Sequence, residues 1–131
     1  MILEYKGITI FYTDHGKGSA IVLLHGFLEN SNIWKPFIPQ LSKKNRVVCI
    51  DLLGHGQTEC LGYIHSMELM AEVVETVLKH LKIRRSIFVG HSMGGYVALA
   101  FAEKNPDNVK GLCLMNSTAR SDTQEKKNKQ R

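Results

Sequence analysis

The sequence predicts an α/β protein: a mostly parallel sheet with helices packed on both of its faces. Three observations carry that prediction. Short apolar runs at 20–24, 47–50, 87–89 and 109–115 read as strands, the first two as strands covered on both faces. Helical periodicity separates several of these runs, and strands that alternate with helices lie parallel and connect by right-handed crossovers. Finally, a Gly-rich or polar loop follows each of the four runs, at the strand ends where open α/β sheets gather their reactive groups.

The elements follow in chain order. After Lys6-Gly7, Ile8, Ile10 and Tyr12 alternate with more polar residues, which predicts an opening antiparallel hairpin. Residues 14–19, with Gly16 and Gly18, read as a turn before the strand at 20–24. Residues 34–41 form a short helix with irregular edges, punctuated by Pro36 and Pro39, and 47–50 is the next strand. Ser66 opens a long helix in which Met67, Met70, Ala71, Val74, Val77, Leu78 and Leu81 fall three and four apart. The methionines there are core filling. A strand at 87–89 leads to a helix at 96–104, which Asn105-Pro106 ends. The strand at 109–115 is last; beyond Asn116 the sequence turns polar.

Composition narrows the function classes. A chain of 131 residues, 44% hydrophobic and 22% charged, has enough apolar material for one globular core. No stretch approaches the roughly 18 apolar residues that span a bilayer, and the first eleven residues do not read as a secretory signal. Of Cys49, Cys60 and Cys113, no two form Cys-x-x-Cys, so free buried thiols in a reducing cytoplasm are expected. The net charge is +5, but residues 120–131 contribute five Lys or Arg against two acids, so the tail holds +3 and the rest +2. No aromatic residues interleave with those cations, and neither nucleic acid nor a membrane is an expected partner. No spacing matches a zinc or calcium site. Gly54-His55-Gly56 lacks the dinucleotide pattern, so no metal or cofactor is expected.

Chemistry enters at residues 88–95, Phe-Val-Gly-His-Ser-Met-Gly-Gly. Gly90, Ser92 and Gly94 make Gly-x-Ser-x-Gly, with a strand expected before and a helix after. This is the arrangement of a nucleophile elbow, whose sharp turn lifts a serine hydroxyl clear of the backbone. With Leu23-Leu24-His25-Gly26-Phe27 and Asp51-Leu52-Leu53-Gly54-His55-Gly56 before it, this order and spacing resembles the α/β-hydrolase superfamily, in its esterase-like branch, from about Ile8 to Thr118. Esterases, proline iminopeptidases, carbon–carbon bond hydrolases, cofactor-free haloperoxidases and a menaquinone-pathway lyase are alike over this stretch.

The resemblance implies Ser92 as nucleophile, with the backbone N–H groups of Met93 and Phe27 as the oxyanion hole, acting on a small ester- or amide-like substrate. His25, Gly26, Gly90, His91, Gly94 and Gly95 would shape the supporting loops, His55 likewise, and Asp51 would brace the glycine loop that follows it. Trp34 is a candidate pocket residue, with core or cap packing as the alternative. His15 in an early turn, His80 near a helix end and His65 before the long helix have no evident role as base. Where some relatives carry the acid, this chain has Asn116 and Ser117.

In the superfamily the acid and the histidine follow the serine in the chain. They are therefore expected beyond residue 131, after a cap segment. Residues 1–118 are read as the N-terminal part of the hydrolase core, lacking the cap and C-terminal strands. Residues 119–131 are read as a polar basic tail that begins the cap. Such a half would be inactive alone and would leave the 109–115 strand as an apolar edge, open to the C-terminal half or to self-association. A non-catalytic remnant that keeps the front half of the fold is the reading from a different class.

Overall fold

The computed structural model describes residues 1–26, 30–52 and 66–115. Six strands form one sheet: β1 (Ile2–Tyr5), β2 (Ile8–His15), β3 (Ser19–Leu24), β4 (Asn45–Ile50), β5 (Ser86–His91) and β6 (Val109–Met115), in the spatial order β1-β2-β4-β3-β5-β6. β1 and β2 make an antiparallel hairpin, and β2 also runs antiparallel to β4. The pairs β3–β4, β3–β5 and β5–β6 are parallel. Tyr5 pairs with Ile8 across a two-residue turn whose Lys6 and Gly7 both hold positive φ, the mirror-image turn that matches strand twist. The strand β2 continues through Asp14 to His15, so His15 ends a strand instead of sitting in a turn.

The two faces carry separate cores. On one, α2 (Met67–His80) and α3 (Met93–Lys104) pack against the sheet, and Met70, Val73, Val74, Val77, Val97 and Phe101 join Val22, Val48, Ile50 and Phe88. On the other, a 3-10 helix (Ser31–Phe37) and the single turn α1 (Ile38–Leu41) cover Ile21, Leu23, Val47 and Cys49. The irregular helix expected at 34–41 is this pair, divided where Pro36 and Pro39 withhold N–H donors.

Local chemistry fixes the helix ends. Ser66 N-caps α2, its Oγ accepting the Leu69 N–H at 3.0 Å. At the other end Ile83 N–H bonds Leu78 C=O and Lys82 N–H bonds Lys79 C=O, with Lys82 at φ 61. That is the Schellman arrangement, with lysine where glycine is usual. α3 starts at Met93, three residues before the start expected from the Ala-rich run, because the elbow glycines themselves are helical.

Among the described residues the β5–β6 side is sparsely covered. Ile21 pairs with Ile87, and Leu23 with Val89, which in turn pairs with Cys113. Ile87, Cys113 and Met115 thus continue the face of Ile21 and Leu23 beyond the reach of the 3-10 helix and α1. Ile87 and Met115 are 36% and 43% exposed, and Leu112 in the same strand is 39% exposed. Cys113 is therefore an exposed thiol, contrary to the expectation of buried cysteines, whereas Cys49 is buried in β4. Cys60 and the tail at 119–131 lie outside the described residues. Among the described residues no helix is long and apolar enough to cross a membrane.

Candidate functional site

Ser92 is the single residue between β5 and α3. Its backbone holds φ 56 and ψ −114, a conformation that L side chains rarely adopt. Two hydrogen bonds fix the turn: Ser92 N–H donates to Met115 C=O at 3.0 Å, and Gly95 N–H donates to Ser92 C=O at 2.9 Å. The Ser92 side chain does not cap α3, so the hydroxyl is not spent on the helix it precedes.

The glycines are required by contact. A Cβ on Gly90 would stand 2.5 Å from the Gly94 carbonyl oxygen and 2.6 Å from the Gly95 Cα. A Cβ on Gly94 would strike the carbonyl oxygens of Leu24 and His25, the latter at 2.6 Å. Without side chains at these positions the elbow lies directly on the end of β3. Met93 is the first residue of α3, and the first N–H groups of a helix have no acceptor within it. They carry the positive end of the helix dipole and favour negative charge beside Ser92.

His25 and Asp51 bolt the neighbouring strand ends together. His25 is fully buried, and its Nε2 accepts the Leu52 N–H at 2.9 Å. Nδ1 therefore carries the proton and donates to Gly26 C=O at 2.8 Å. Both ring nitrogens are engaged in holding the loop after β3 to the loop after β4. Asp51 is 2% exposed, and its Oδ1 accepts the Ser31 N–H at 2.7 Å. This carboxylate braces the start of the 3-10 helix, a bond that sequence spacing did not disclose. Its expected partner, the glycine loop with His55, lies outside the described residues.

Other candidates separate from the site. Trp34 is 5% exposed among Ile21, Leu23, Val47 and Cys49, with Phe37 at a ring distance of 6.2 Å. Among the described residues it packs as a core residue. His15 pairs with Val47 near the start of β4, and His80 ends α2 with its ring edge-on to Tyr12. Both therefore lie in or against β2, three strands away in the sheet from β5, which leads into Ser92. His91 is half-buried at the end of β5. Phe27, His65, Asn116 and Ser117 lie outside the described residues. Among the described residues no group of three or more His, Cys, Asp or Glu could hold a metal ion.

A strained serine between a parallel strand and a helix, seated on glycines at the carboxyl ends of β3 and β5, agrees with the family comparison. The family model for the alpha/beta hydrolase fold matches residues 19–130. The chain belongs to the α/β-hydrolase family. It is 38% identical over 102 residues to an uncharacterized protein of Mycobacterium tuberculosis, covering 78% of this chain and 30% of that protein. It is 33% identical to bifunctional epoxide hydrolase 2 of Rattus norvegicus, covering 85% of this chain and 21% of that one. Among solved structures, a thermophilic esterase from Thermogutta terrifontis superposes with a TM-score of 0.84 at 35% identity, covering 95% of this α/β-hydrolase chain and 46% of the esterase. The chain thus spans less than half the length of each of these relatives.

Proposed function

We propose that this chain carries the nucleophile-bearing part of a serine hydrolase that cleaves ester or amide bonds. The observation that carries the reading is the Ser92 backbone, held at φ 56 on two glycines that no other residue could replace without a clash. In this reading Ser92 Oγ attacks the substrate carbonyl and its proton passes to a histidine base. The carbonyl oxygen becomes an oxyanion held by the Met93 and Phe27 N–H groups, each worth about 3 kcal/mol of barrier. Collapse expels the alcohol or amine, which takes up the proton, and water then hydrolyses the acyl-serine.

The base and its acid partner are proposed to come from sequence beyond residue 131, seated along the exposed β6 edge. The bare apolar face at Ile87 and Met115 supports that seat. Similarity to an epoxide hydrolase raises a second chemistry, ring opening. A serine that opened an epoxide would be left as an ether, which water does not readily cleave, whereas an acyl-serine turns over. The nucleophile present therefore favours acyl substrates. Carbon–carbon hydrolysis, the lyase reaction and haloperoxidase chemistry would use the same serine and are separated by a substrate panel.

A fluorophosphonate probe tests the assignment. Rapid labelling of Ser92 is expected when the sequence beyond residue 131 is included, no labelling in Ser92→Ala, and weak labelling of the 131 residues alone. Equal labelling of Ser92→Ala would refute the nucleophile assignment.

A further inference from the structure

The opposite end of the sheet, away from Ser92, gathers cations that are far apart in the sequence. The strands β3, β4, β5 and β6 are parallel and all begin there. A cavity of about 270 Å³ opens at that edge, lined by Ser19, Arg46, Lys82, Arg85 and Lys110 among others. Arg46 is held by a bidentate pair with Asp14, at 3.0 and 2.8 Å. Among the described residues Lys82, Arg85 and Lys110 have no carboxylate partner.

Two of these cations stand on irregular backbone. Lys82 occupies the left-handed position after α2, at φ 61, where glycine would fit without strain. Lys110 is the extra residue of a β-bulge: Ser86 pairs with Val109 and Ile87 pairs with Gly111, so Lys110 has no opposite number. Bulges redirect side chains, and here the Lys110 Nζ reaches across β5 to donate to Ser19 Oγ at 2.7 Å on β3. A strained lysine, a bulged lysine and an uncompensated arginine thus converge on one concavity.

We propose that this cavity binds a small, multiply charged phosphate ion, a soluble diphosphate or diphosphate-bearing metabolite, at a site separate from the nucleophile. Three uncompensated cations match the charge of a diphosphate and supply N–H donors for several of its oxygens. The volume lies just under the roughly 300–1,000 Å³ of pockets for drug-sized ligands, which favours a compact ion.

Titration calorimetry of inorganic pyrophosphate into the protein, in the wild type and in Lys82→Gly, Arg85→Ala and Lys110→Ala, tests the site. Saturable binding is expected, weakened about tenfold by each substitution and unchanged by Lys35→Ala in the 3-10 helix. Lys82→Gly removes the charge while relaxing the backbone, so its melting temperature should not fall. A stable Lys82→Gly protein with weakened binding supports the site. Three outcomes would overturn it: no saturable binding; equal loss in Lys35→Ala, the mark of an adventitious ion only; or binding only to vesicles carrying a bis-phosphorylated inositol lipid and not to the free ion.

Discussion

Ser92 sits at φ 56 and ψ −114, and a non-glycine residue in so sparse a region costs about 1–3 kcal/mol. Glycine there would relieve the strain but lose about 0.5–1 kcal/mol through its freer unfolded chain. Ser92→Gly should therefore leave stability unchanged or raise it by up to about 2 kcal/mol in urea denaturation, while abolishing fluorophosphonate labelling; a clear destabilisation would contradict stored strain at the elbow. The motif Gly-x-Ser-x-Gly made this residue legible, because the steric need is local. The partners of Asp51 were not legible: its bond to Ser31 joins residues 20 positions apart that meet only once β3 and β4 pair. Cys49 shows burial acting on chemistry. Burial pushes its thiol from 9.0 up to about 11, so the folded protein keeps the proton that the unfolded chain releases. Stability is full below about pH 9 and falls as pH rises towards about 11, by about 2–3 kcal/mol, a slope that Cys49→Val should remove. Iodoacetamide at mildly alkaline pH should modify exposed Cys113 and spare Cys49, as read by mass spectrometry.

Elements were readable where their signals are local and periodic. The strand Val109–Met115 has the bounds its apolar run predicts, and Ser66 caps α2 as its place before the periodic stretch predicts. Ser66→Ala should cost about 1 kcal/mol in thermal or chemical denaturation by orphaning the Leu69 N–H. Signals failed where an element depends on its neighbours. The Ala-rich run suggested a helix from Tyr96, but the glycines at 94 and 95 are helical because α3 must press on the end of β3. The bulge at Lys110 has no sequence mark at all; it is a property of the β5–β6 register. The Schellman turn at Lys82 was hidden for a related reason, since lysine occupies the position where glycine would have announced it.

At the scale of the molecule, the decisive feature is the asymmetry of the sheet. Among the described residues, strands β3 and β4 are covered on both faces, whereas β6 pairs on one side only and exposes Leu112 and Met115. The 131-residue chain should therefore self-associate with rising concentration in gel filtration, and Leu112→Lys should shift it towards monomer, since edge charges block strand pairing. A monomer at every concentration would argue against a docking role for that edge. Charge follows the same logic: counted along the chain, the basic excess belongs mostly to the tail, yet the fold draws Arg46, Lys82, Arg85 and Lys110 to one end of the sheet. Ser92 and its turn are at the other end. The sequence by itself determined the family, the alternation of strands and helices and the strand-to-helix turn at Ser92, because apolar period and the steric demand of a tight turn are written in adjacent residues. Only the tertiary structure decided which groups His25 and Asp51 bond, that Trp34 is core and that four scattered cations line one cavity. Those facts depend on which strand ends become neighbours, and pairing between strands is not a local property of the chain.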